Sequence, residues 1–170
     1  MDFKSAPVTD TELQIRPAFE ADVPVILSLI RGLADYEKAR PEDVPVDEAT
    51  LRQSLFGARP QAEALLASLG TDVVGLAVFF HNFSTWHGRH GLYLEDLFVR
   101  PDARGRGVGK ALLRELARVA QRRGCARMEW AVLDWNQPAI DFYKALGAVP
   151  MDEWTLYRLT GDTIGRLAES

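Results

Sequence analysis

The sequence predicts a mixed α/β domain, and three observations carry that expectation. The middle of the chain runs from a strand pattern at Leu92–Val99 to an amphipathic stretch at Gly107–Arg123 and on to a buried-type run at Met128–Leu133. Ahead of it, Ala62–Leu69 and Val73–Phe80 flank Gly70-Thr71-Asp72, a hairpin signal. Between the first strand and the helix lies Arg104-Gly-Arg-Gly-Val-Gly109, too rich in glycine for either element. A chain of 170 residues suits one domain with a real core, so residues 1–11 are expected as a loose polar arm and 12–170 as a single domain.

The remaining elements follow in order. Leu13–Arg16 alternates and predicts a first strand. Asp22 is a helix cap with Pro24 in the first turn, and Val23, Ile26, Leu27, Ile30, Leu33 and Ala34 share one face of that helix. An acidic loop, Pro41–Pro45, leads to a short helix over Asp47–Leu55. His81–His90 is expected as a loop, and Gly124 stops the central helix. Pro138 opens a helix over Ala139–Leu146 that Gly147 ends, Trp154–Leu159 alternates as a last strand, and 162–168 forms a short terminal helix. The whole is a mixed sheet flanked by about four helices.

Composition narrows the function. No apolar run approaches the ~20 residues of a membrane span, and Met1–Pro7 has no apolar stretch of a secretion signal. The single cysteine, Cys125, excludes an internal disulfide framework and fits the cytoplasm; its setting is that of a small packed residue. The net charge of −4 gives no reason to expect nucleic acid. Charge is unevenly spread: residues 100–127 hold nine basic side chains against Asp102 and Glu115, while the first 99 residues hold 15 of the 24 acids. Arg114, Arg118 and Arg122 fall at i, i+4, i+8 and suit a solvated helix face. His81, His87 and His90 are expected in one loop where no carboxylate or cysteine joins them at ligand spacing, so no metal is expected.

The glycine loop is the strongest chemical signal. A helix N-terminus presents unpaired N–H groups and partial positive charge, which favours phosphate. Gly105, Gly107 and Gly109 carry no Cβ to block a ligand, and Arg104 and Arg106 add charged donors. These features suit a pyrophosphate. The loop is not a P-loop, because Ala111 follows Lys110 where a hydroxyl is required. It is not a dinucleotide fingerprint either: the spacing is G-x-G-x-G, and no acidic residue near position 127 is placed to take a ribose.

Arg104-x-x-Gly-x-Gly109, following Leu94-Glu-Asp-Leu-Phe-Val99, resembles the pyrophosphate motif of the GCN5-related N-acetyltransferases (GNAT superfamily). Asn136-x-x-Ala139-x-x-Phe142-Tyr143-x-x-x-Gly147 is similar to that superfamily's second signature. With Glu95-Asp96, Trp135-Asn136 and Ala34-Asp-Tyr-Glu37, the chain is most like the diamine (spermidine/spermine) and thialysine branch, over roughly residues 12–160.

The resemblance implies direct attack of a primary amine on the thioester of acetyl-CoA. It places backbone groups of Leu97, Phe98 and Val99 on the pantetheine arm and the thioester carbonyl. Arg104, Gly105, Arg106, Gly107, Val108, Gly109 and Lys110 would hold the pyrophosphate, and Asn136 and Ala139 the cofactor's far side. Tyr143 would protonate the departing thiolate, leaving Phe142 as the inward-packing ring.

An alkyl ammonium must lose a proton before it attacks, at a cost of ~4.6 kcal/mol at pH 7. Glu95 is the expected acceptor. Asp96, its neighbour on the opposite face of a regular strand, is expected to be structural. Tyr36, Glu37, Trp86, Glu129, Trp130 and Ala131 are the substrate-contacting candidates, with Trp86 as an aromatic wall. The expected acceptor is a small cationic amine. Another amine acceptor, or a non-catalytic acyl-CoA-binding module, stays open. The family resemblance also implies a homodimer, through Trp154–Leu159.

Overall fold

The computed structural model describes residues 12–170. The arm expected over 1–11 lies outside the described residues. The chain divides into two compact units, the first ending at Ala131 and the second running from Val132 to Ser170.

The first unit contains β1 (Leu13–Pro17), α1 (Val23–Tyr36), α2 (Glu48–Phe56), β2 (Glu63–Leu69), β3 (Asp72–Ser84), β4 (Arg89–Val99), α3 (Val108–Arg122) and β5 (Met128–Trp130). The strands form one sheet in the order β1-β2-β3-β4-β5. The first three pairings are antiparallel; β4 and β5 are parallel, which requires a crossover, and α3 supplies it. Helices cover both faces. Leu76 and Val78 of β3 join Leu66 and Phe98 in a core with Val23, Ile26 and Leu27 of α1 and Leu51 and Leu55 of α2. Gly75 points the other way: a Cβ there would meet Val108 Cγ1 at 3.0 Å and Leu112 Cδ1 at 3.2 Å, so α3 lies close on that face.

Asp47 caps α2, accepting a hydrogen bond from Thr50 N–H at 2.8 Å. Asp22 occupies the cap position of α1 but turns its carboxylate elsewhere. It accepts from Arg16 at 2.7 and 2.8 Å and from Phe19 N–H at 2.7 Å, tying β1 to the turn before the helix. On α1 the buried side chains are Val23, Ile26, Leu27 and Leu29, while Ile30 and Leu33 are partly buried.

Two expectations in this unit need correction. His81–His90 is not a loop: β3 runs to Ser84 and β4 starts at Arg89, leaving only a short turn. Cross-strand pairing carries the polar residues Asn82 and His90 into the ladder. The strand expected at 128–133 is three residues long, and the pairing recorded for it ends at Leu94–Trp130.

The second unit holds α4 (Gln137–Ala145) and α5 (Asp162–Ala168). Trp154–Leu159 is not a strand despite its alternation. A strand needs a neighbour for its backbone groups, and no strand is assigned among the described residues of this unit. The segment's apolar side chains stand exposed, Trp154 at 69% and Tyr157 at 90%.

Candidate active site

The register of β4 changes where the chemistry is expected. Val78 pairs with Asp96 but Phe79 with Leu94, so Glu95 is the extra residue of a β-bulge. A bulge breaks strict face alternation, and the opposite-face rule therefore fails for Glu95 and Asp96. Glu95 is exposed and Asp96 half-buried. Burial, with the charges of Glu95 and Glu37 added, pushes the Asp96 carboxyl up to about 6. Glu37, at the end of α1, is also raised by desolvation of its carboxyl. Three carboxylates thus converge on one end of β4, and Asp96, expected to be structural, is the most desolvated member of the group. Only the bulge reveals it, and nothing in Leu94-Glu-Asp-Leu announces a bulge.

Beyond Leu94, β4 has no pairing with β5 among the described residues. On its other side Leu97, Phe98 and Val99 pair with Ala77, Leu76 and Gly75. One backbone edge of this stretch therefore has no strand partner among the described residues, an arrangement compatible with the pantetheine expectation. The strand then runs into the glycine loop. Gly105 and Gly107 have φ of +74° and +79°, a region that favours glycine, and a Cβ at either would meet nothing within 4 Å. Gly107 is the N-cap of α3 and offers no side-chain cap. The first turn of α3, with Val108, Gly109 and Lys110, therefore faces open surface with no side chain at Gly105 or Gly107 in the way, which is compatible with an anion at the helix N-terminus.

Arg104 donates from Nε to the Val99 carbonyl oxygen at 3.0 Å, and its guanidinium stacks 4.5 Å from the centre of the Tyr36 ring. A Cβ on Gly32, one turn before Tyr36, would come within 3.0 Å of the Phe98 ring, so glycine lets α1 approach β4 closely. Tyr36 and Glu37 therefore reach the same end of β4 as Glu95, Asp96 and the loop.

Other candidates fall elsewhere. Trp86, 89% exposed, sits in the β3–β4 turn. At ~3.3 Å per residue, six residues of β4 put about 20 Å between Arg89 and Glu95, so Trp86 is no wall for this carboxylate group within one chain. Glu129 is held by Asn82 Nδ2 and Arg127 Nε, both at 2.7 Å, and works in the sheet. Trp130 is half-buried and Ala131 exposed, both at the end of β5. Arg118 and Arg122 pair with Glu115, consistent with a solvated face.

In the second unit, Asn136 caps α4, its Oδ1 accepting from Ala139 N–H at 3.4 Å. Phe142 and Tyr143 are both half-buried, with ring centroids 5.5 Å apart, so Phe142 is not the sole inward ring.

The comparisons with known proteins agree with this architecture. The family model described as acetyltransferase (GNAT) family matches residues 30–148. Thialysine N-epsilon-acetyltransferase from Bos taurus is 41% identical over 167 residues, covering 92% of this chain and 97% of the relative. Human spermidine/spermine N(1)-acetyltransferase-like protein 1 is 32% identical over 89% of this chain but only 23% of its own length. An integron cassette protein from the mobile metagenome of V. cholerae superposes with a TM-score of 0.78 at 27% identity, covering 93% and 98% of the two chains. An aminoglycoside acetyltransferase from a soil metagenome, at 20% identity and a TM-score of 0.74, shares the fold.

The chain belongs to the GNAT acetyltransferase family, and it is an N-acetyltransferase. Among the described residues no helix is long and apolar enough to cross a membrane.

Proposed function

We propose that this enzyme transfers the acetyl group of acetyl-CoA to a primary amine of a small cationic acceptor such as thialysine. The observation that carries the acceptor class is the carboxylate group Glu37, Glu95 and Asp96, gathered beside the strand that leads into the phosphate loop. An ammonium entering there is stabilised by opposite charge. The relatives with matching length act, by their names, on thialysine. Support for the donor comes from the Gly105–Gly107 space and the open edge of Leu97–Val99.

In this reading bound acetyl-CoA supplies a thioester carbonyl as the electrophile. Arg104, Arg106, Lys110 and the first N–H groups of α3 would hold its pyrophosphate; for Asn136 and Ala139 a cofactor role rests on the family resemblance alone. The Glu95–Asp96 pair accepts the ammonium proton, with exposed Glu95 passing it to solvent. The amine nitrogen then bonds to the carbonyl carbon and the carbon–sulfur bond breaks; in the role the resemblance implies, Tyr143 protonates the thiolate, and the second amine proton, lost as the amide forms, restores the phenol through water. The family match runs across the division at Ala131, which supports reading 12–170 as one catalytic domain.

Thiol release from acetyl-CoA with thialysine, lysine, ornithine, spermidine and an aminoglycoside tests the proposal. Fastest turnover with thialysine or another small diamine supports it; binding of acetyl-CoA without release on any amine would establish the binding-module alternative. We also read the enzyme as a homodimer, on the strength of the exposed Trp154, Leu156 and Leu159, and as cytoplasmic, from its single cysteine. Light scattering should give twice the 19.0 kDa chain mass, and Trp154→Asp should return the monomer.

A further inference from the structure

We propose that His81, His90 and Cys125 form a binding site for a thiophilic divalent cation of the zinc class. One ligand atom from each residue lies within 4.8 Å of the others. The backbone explains why they meet. His81 pairs with Leu92 and Phe83 with His90, so the two histidines share a face of the sheet one diagonal step apart. Their rings meet edge to face, with centroids 5.0 Å apart.

Cys125 arrives from the other direction. Gly124, at φ +66°, turns the chain out of α3, and Cys125 N–H donates to the Ala120 carbonyl oxygen at 2.9 Å. Ala126 N–H then donates to the His90 carbonyl oxygen at 2.9 Å, docking this connection against the start of β4.

The chemistry of the group suits a metal. His90 Nε2 donates to the Arg123 carbonyl oxygen at 3.0 Å, which leaves Nδ1 with its lone pair; ligating histidines are commonly oriented this way. An open cavity lined by His81, His90 and Arg123 lies over them. Arg123 is the cation facing the cluster, 3.5 Å from His81 Nε2, and Glu63 engages it through both carboxylate oxygens. Glu63 thereby brings a balancing negative charge to the edge of the site. Two imidazoles and a thiolate are a zinc-type donor set that leaves a fourth position for water. Metal–ligand bonds of ~2.0–2.3 Å place ligand atoms roughly 3.5 Å apart, so side chains at this surface must close by about 1 Å. A bound ion pins the β3–β4 hairpin to the α3–β5 connection. His90 is five residues from Glu95, about 16 Å along β4, so this site stands apart from the carboxylates.

Co²⁺ titration of chelator-treated protein, followed by displacement with Zn²⁺, tests it. The expected result is one equivalent bound, with tetrahedral-type absorption, a thiolate-to-cobalt charge-transfer band and a higher melting temperature with Zn²⁺. Cys125→Ser should abolish the charge-transfer band, and His90→Asn should weaken binding more than roughly tenfold. His87→Asn should change neither. Circular dichroism without metal verifies that each variant is folded. Binding that survives both Cys125→Ser and His90→Asn, or no stoichiometric binding by the parent protein, overturns the proposal.

Discussion

The guanidinium of Arg104 lies 4.5 Å from the centre of the Tyr36 ring and 5.9 Å from that of Phe98. A residue of the glycine loop thus rests on the end of the helix expected to meet the amine. A stack of this kind contributes ~0.5–1 kcal/mol when exposed and ~2 kcal/mol when desolvated. Arg104→Gln should raise KM for acetyl-CoA and Tyr36→Leu that for the amine. A double-mutant cycle in kcat/KM should show coupling of about 1 kcal/mol; additive effects would mean that loop and helix act independently.

Gly107 adopts a left-handed conformation with open space where a Cβ would stand. Gly107→Ala should cost ~1–2 kcal/mol of stability through backbone strain. Its methyl group also enters the space assigned to the pyrophosphate, so KM for acetyl-CoA should rise roughly tenfold. Thermal unfolding and steady-state kinetics separate the two effects, and an unchanged KM would move the pyrophosphate elsewhere.

Burial, with Glu95 and Glu37 beside it, raises the Asp96 carboxyl from its ordinary 3.8 to about 6 in the folded protein. The native state therefore holds the proton more tightly, so stability falls as pH rises through the window from about 4 to 6. Asp96→Asn removes that dependence and should stabilise the protein at pH 7 by ~3 kcal/mol, from the size of the shift. The same variant should lose activity and the acidic limb near pH 6. Denaturant melts at pH 4.5 and 7, beside a pH–rate profile, check both signs. A variant less stable at pH 7 contradicts the electrostatic account.

Tyr143 is assigned the last proton transfer. Tyr143→Phe should lower kcat on the order of 100-fold with acetyl-CoA affinity nearly unchanged. Full turnover by the variant would remove Tyr143 from the mechanism.

Local patterns made most of the fold legible. The α3 periodicity, its glycine stop and the hairpin at Gly70 depend on neighbours within a few residues, and each was realised within one or two positions. Trp154–Leu159 shows the limit of such patterns: its alternation is a strand's, yet pairing is a property of two segments.

The same division runs through the site. By itself the sequence determined the glycine loop, because the left-handed turns at Gly105 and Gly107 and the helix start that follows are encoded within six residues. Tertiary structure alone decided that Glu95 bulges, that Asp96 is desolvated beside Glu37, that Arg104 rests on Tyr36, and that Cys125 meets His81 and His90. Strand register and helix docking bring these groups together from positions as many as 68 residues apart in the chain, and no local spacing records such a meeting.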